Sequence, residues 1–171
     1  MSLPLDDPRP RPNEREGLVD FLEYQRQVLR RKVDGLSAEN LGRTAAASSL
    51  TLGGLIRHLT FVENLWFLDR VAGEGMPAPW TDVDWKADPD WDFNSAADLP
   101  PADLIAGFET ACAASRTVLE GIDDLDAPLS RKHHGQRLNV RWVLIHMIEE
   151  YARHAGHADL LRESIDGRVG D

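Results

Sequence analysis

The chain has 171 residues, a hydrophobic fraction of 42%, a charged fraction of 28% and a net charge of -10. That size suits one globular domain burying about two-thirds of its unfolded surface. The acidic balance disfavours nucleic acid and anionic membranes as partners, since both need basic surface, and the single cysteine, Cys112, excludes an intrachain disulfide.

The opening stretch, MSLPLDDPRPRPNERE, carries four prolines and lacks the apolar core of a signal peptide. Residues 1–13 are expected to form an extended lead, and a cytoplasmic location is the default expectation. No run of about 18 apolar residues occurs, so no membrane-spanning helix is expected. From residue 14 to residue 167 the chain reads as one helical domain.

The first helix follows Asn13. Glu14, Glu16 and Asp20 place negative charge where a helix N-terminus favours it. Leu18, Phe21, Leu22, Val28 and Leu29 keep the i, i+3, i+4 rhythm, and Gly35 is a natural stop. The Gly- and Ser-rich segment Asp34 to Ser49 reads as a connector, with one short turn at Ala38 to Leu41.

Ser48, Ser49 or Thr51 can cap the second helix, which runs to about Gly73. Leu55, His58, Val62 and Leu65 form one stripe, widened by Leu52, Ile56, Leu59 and Trp66. His58 therefore lies within an apolar face. The Gly53-Gly54 pair weakens the helix by roughly 1 kcal/mol per Gly, a cost tolerated where a neighbour or a ligand approaches closely.

Gly73 to Leu99 lacks periodicity, yet holds Trp80, Trp85, Trp91 and six aspartates from Asp82 to Asp98. Disordered segments are poor in aromatics, so an ordered crossover or lid is expected. Its indoles either seal one end of the core or line a pocket mouth. A third helix follows, with Asp98 as a candidate cap, Pro100-Pro101 in its first turn and Gly121 at its end. Cys112 falls on its apolar face and reads as a small buried hydrophobe. The polar connector Asp123 to Asn139 places His133 and His134 on loop surface.

The last helix covers Val140 to Glu163 and holds His146, Glu150, His154 and His157. With His146 at zero, Glu150 falls near about 40°, His154 near about 80° and His157 near about 20° at roughly 100° per residue. These groups sit on or beside the apolar face, where unpaired ionisable groups are costly. The chain is thus expected to be all-α: a four-helix bundle with a long crossover between helices two and three.

Bundles build metal sites from facing helices. Glu150 and His154, at i and i+4, can chelate one ion, and His58 on the second helix can complete a three-ligand set with an open position. Such a nitrogen and oxygen set suits zinc, and also nickel, iron or manganese. His58 with His146 and Glu150, or with His154 and His157, are competing triads. Histidines outside the triad can orient a ligand.

Two stretches, TLGGLIRHLTFVENLWF (Thr51 to Phe67) and HMIEEYARHAGHADLLRE (His146 to Glu163), resemble the DinB-like superfamily and more closely its DUF664 branch. The resemblance implies up-down-down-up winding, a divalent metal between helices and a homodimer. The family's triad maps onto His58, Glu150 and His154, which leaves His157 and His146 as candidates for supporting roles. Glu150 stands where the superfamily usually has His. That variant resembles mycothiol-dependent maleylpyruvate isomerase, whose further C-terminal domain is not expected in a chain of 171 residues. The implied activity is that of a metal-dependent thiol S-transferase acting on a small molecule, with mycothiol, bacillithiol or a similar thiol as cosubstrate. A metal-dependent hydrolase and a non-catalytic stress-response binding module are the other expectations.

Overall fold

A computed structural model describes residues 5–45 and 47–170. Met1 to Pro4 of the predicted lead and Ala46 of the first connector lie outside the described residues. Among the described residues the chain is all-helical, with six α-helices and no strand. In order they are α1 (Glu14–Val33), α2 (Ala38–Leu41), α3 (Leu52–Glu63), α4 (Trp91–Asn94), α5 (Pro101–Glu120) and α6 (Val140–Asp166).

The helix starts follow capping chemistry. Asn13 and Glu16 form a capping box on α1, Thr51 accepts a hydrogen bond from Gly54 N on α3, and Asn139 accepts one from Trp142 N on α6. Asp98 does not cap α5. It closes a 3₁₀ turn, Ser95–Asp98, and α5 begins at Pro101 without a side-chain cap, because proline's missing N–H is an orphan there anyway.

The second predicted helix changes character half-way. After Glu63 it continues as a π-helix, Asn64–Ala72, closed by Gly73 in the left-handed region at φ 78°. Thr60 Oγ1 donates to the Ile56 carbonyl at 2.8 Å, and Asn64 Nδ2 donates to the Thr60 carbonyl at 2.9 Å. Side chains that bond to the local carbonyls compete with the α-helical ladder. Such wide turns cluster near functional sites.

The core is formed by α1, α3 with its π-helical continuation, α5 and α6. The closest pairings are α1 with α6 and α3 with α5. Leu22, Leu29, Leu55, Leu59, Phe67, Leu144, Met147 and Tyr151 are among its fully buried side chains. At its centre lies a polar exception. Glu63, 0% exposed, takes two hydrogen bonds from the Arg26 guanidinium, at 2.8 and 2.6 Å, and one from Tyr151 Oη at 2.6 Å. All this satisfies a carboxylate that burial alone would penalise heavily.

The long connector is ordered, as its aromatics imply. Trp80 is buried and meets Phe61 and Trp91 edge-on, Trp85 packs on Phe61, and the Arg57 guanidinium lies 4.2 Å over Trp80. The glycine pair serves this packing. A Cβ on Gly53 would meet the Leu41 carbonyl at 3.2 Å, and one on Gly54 would meet Phe93 at 3.4 Å. The close approach that glycine permits is therefore that of α2 and α4.

Candidate metal centre

His58 leaves α3 one turn past Gly54, and Glu150 and His154 stand one turn apart on α6. Packing of α3 against α6 brings the three side chains together, with one ligand atom from each within 4.8 Å of the others. His58 Nε2 lies 3.2 Å from Glu150 Oε1, and His154 Nε2 lies 3.1 Å from the same oxygen. The two imidazoles meet edge-on, their centroids 5.0 Å apart.

The far side of the His58 ring is also engaged. Its Nδ1 lies 2.5 Å from Asp92 Oδ2, and Phe93 stacks on its face at 4.3 Å. Both residues come from α4, inside the long connector. His157 sits beyond His154, the two Nδ1 atoms 3.4 Å apart. On the other side of Phe93 and Gly54 opens a cavity of about 380 Å³, lined by Leu41, Leu50, Phe93, Leu99 and Leu104 among others. None of the three connector tryptophans lines it. They sit on Phe61, Arg57 and one another.

The His58 ring stands between two carboxylates, Asp92 and Glu150. Burial works against charge on His58, but its hydrogen bonds with Asp92 and Glu150 outweigh that, so its pKa is raised. Hydrogen bonds with His154 and then His58 hold the Glu150 carboxyl well below the usual carboxylate range. With the Nδ1 hydrogen given to Asp92, neutral His58 turns a lone pair towards Glu150, itself an acceptor. A proton on that nitrogen resolves the opposition, and so would a metal cation between these atoms. Ligands about 2.0–2.1 Å from zinc at tetrahedral angles stand about 3.3–3.4 Å apart, close to the two observed spacings. Two nitrogens and one carboxylate oxygen are also the protein donor count of catalytic zinc.

The model of the mycothiol-S-transferase family matches residues 17–167. The chain belongs to the mycothiol-S-transferase family. A search among curated proteins finds no match. In this mycothiol-S-transferase family member, His58, Glu150 and His154 all fall inside the matched span, as do Asp92 and Phe93.

Of the other predicted histidines, His157 is brought to the group and His146 is not. The His146 ring stacks on Trp142 at 4.9 Å and meets Trp66 at 5.0 Å, and its Nδ1 lies 3.6 Å from Glu149. His134 is exposed, while His133 turns its ring against Trp66 at 4.6 Å. Cys112 is buried near Tyr151, and burial pushes its thiol pKa far up. Asp92 escapes a reading of the sequence. It is one of six aspartates in an aperiodic segment, and burial alone distinguishes it.

Proposed function

We propose that the protein is a metal-dependent thiol S-transferase in which His58, Glu150 and His154 hold a divalent cation, zinc first. The observation that carries this reading is the convergence of two imidazole nitrogens on one carboxylate oxygen, at 3.2 and 3.1 Å. A divalent cation in that position stabilises the thiolate of a small thiol such as mycothiol at neutral pH. The nucleophile then comes from the cosubstrate, consistent with a chain whose lone cysteine is buried with a suppressed thiol.

The protein's own groups have separate tasks. His58 and Glu150 present donors across the α3–α6 seam, and His154 adds the second nitrogen one turn along. His157 orients His154 through their facing Nδ1 atoms. The cavity behind Phe93 has leucine walls, with Ser49, Thr51 and Asn94 at its polar edge. Its mixed lining suits a small acceptor with both apolar and polar parts.

Family membership supports the thiol reading over water activation. The same reading takes α1, α3, α5 and α6 as the up-down-down-up bundle of the DinB-like superfamily, spanning one domain over residues 14–167. It keeps the DUF664 likeness, a homodimer and a cytoplasmic location as its finer expectations. Among the described residues no helix is long and apolar enough to cross a membrane.

The test pairs elemental analysis of the purified protein with a panel of thiols and electrophiles. Stoichiometric metal and thiol-dependent turnover, both lost in His58→Ala, are expected. Hydrolysis without added thiol would favour metal-activated water instead. Metal-loaded protein with no thiol-dependent turnover would sink the transferase reading, and absence of metal with a destabilised His58→Ala would make the cluster structural.

A further inference from the structure

A neutral imidazole carries its hydrogen on one nitrogen, so the group that accepts it decides which nitrogen keeps a lone pair. At His58 that group is Asp92. Its Oδ2 lies 2.5 Å from Nδ1, and the residue is only 5% exposed. The opposite nitrogen faces Glu150. Phe93 lies against the same ring, 15° from parallel. Adjacent residues of α4 therefore fix the imidazole twice, by a hydrogen bond at its edge and by contact across its face.

The connector is anchored independently of this contact. Trp91 packs on Trp80 and Trp85, and Arg57 donates to Ser95 Oγ at 3.3 Å. A buried carboxylate adds desolvation cost to a segment already held by aromatic packing. That cost is offset by the hydrogen bond with His58 and by the nearby charge of Arg57.

We propose that Asp92 is a positioning residue for the metal ligand His58: it selects the tautomer whose Nε2 lone pair points to Glu150 and holds the ring in that direction. This rests on reading His58, Glu150 and His154 as the metal group. The consequence is that the long connector belongs to the site. Seating α4 strengthens metal binding and, by reciprocity, bound metal holds α4 in place.

The experiment measures zinc affinity by chelator competition, and the visible absorption of the cobalt-substituted protein, in wild type, Asp92→Asn, Asp92→Ala and Ser95→Ala. Helix content and melting temperature are followed in parallel. Asp92→Ala is expected to weaken zinc about 10–100-fold and to change the cobalt spectrum. Asp92→Asn, whose amide oxygen still accepts from Nδ1–H, should fall between it and wild type, and it carries the test if Asp92→Ala does not fold. Ser95→Ala loosens the same segment without touching His58, and should lower the melting temperature while leaving affinity and spectrum unchanged. Wild-type affinity and spectrum in the Asp92 variants would overturn the proposal. So would an equal loss in Ser95→Ala, which would make the effect one of general connector packing. Wild type that binds no zinc or cobalt would remove the metal reading itself, a result distinct from both.

Discussion

At the scale of single residues, the protein separates the group that bears charge from the group that is merely reactive by type. Glu150 is drawn towards its charged form by His154 and His58, whereas Cys112 is driven towards its neutral form by burial. Glu150→Gln keeps the shape and one acceptor oxygen but removes the charge. It is expected to abolish stoichiometric metal while the far-ultraviolet circular dichroism stays that of wild type. Cys112→Ala should leave thiol-dependent turnover unchanged and cost on the order of 1 kcal/mol of stability. A large loss of turnover in that variant would return the cysteine to the reaction. The sequence shows part of this directly. The arc of the last helix puts His146, Glu150, His154 and His157 together but cannot rank them, because a helical wheel gives direction and not distance. The family resemblance ranks Glu150 and His154 first, and the α3–α6 packing brings these two to His58 and turns His146 to Trp66 and Trp142. Asp92 is silent in the sequence because its segment has no period from which burial can be read.

At the scale of elements, the helices follow their caps and apolar stripes, and the departures from regularity follow polar side chains. The change from α to π geometry after Glu63 occurs where Thr60 and Asn64 bond back to local carbonyls. Hydrophobic periodicity is blind to such bonds, so an uninterrupted helix to Gly73 is what the pattern predicts. At that junction Glu63 ties α3 to Arg26 of α1 and Tyr151 of α6. Glu63→Ala takes from the buried Arg26 charge its two hydrogen bonds inside the core and leaves it, among the described residues, only Glu23. It is expected to lower unfolding stability by about 3–5 kcal/mol in denaturant titration. The same guanidinium also reaches Glu23, which Arg116 clasps from α5 at 3.0 and 2.8 Å. Burial opposes ionisation of Glu23, but the hydrogen bonds from Arg116 and the charge of Arg26 outweigh it and lower its pKa. A depressed carboxyl stabilises the fold fully above its unfolded value near about 4.3 and loses that contribution as pH falls through the folded value. Glu23→Gln should therefore lower stability at pH 7 and flatten the decline below about pH 4. An unchanged acid limb in the variant would show that Glu23 contributes nothing to it.

At the scale of the whole molecule, the candidate metal group ties together segments far apart in sequence. His58 and Glu150 are 92 positions apart, and the connector bearing Asp92 reaches His58 across 34. A cation bound there cross-links α3 to α6 in the folded state, and the unfolded chain does not hold these donors together. Binding to the folded state alone stabilises it by RT ln(1 + [L]/Kd), about 2.7 kcal/mol at a free metal concentration one hundred times Kd. Zinc is therefore expected to raise the melting temperature of chelator-treated protein, and the increment should grow with the logarithm of free zinc. The same titration on His58→Ala separates the centre from incidental binding. Twenty-nine acidic residues give the surface other places for a cation to bind weakly, and those survive the substitution. If His58→Ala keeps the full increment, stabilisation comes from the acidic surface and not from the α3–α6 seam. If the increment vanishes while the metal-free variant melts close to metal-free wild type, the seam is a binding site and not a structural hydrogen-bond cluster, because a cluster of the latter kind would be missed most in the absence of metal.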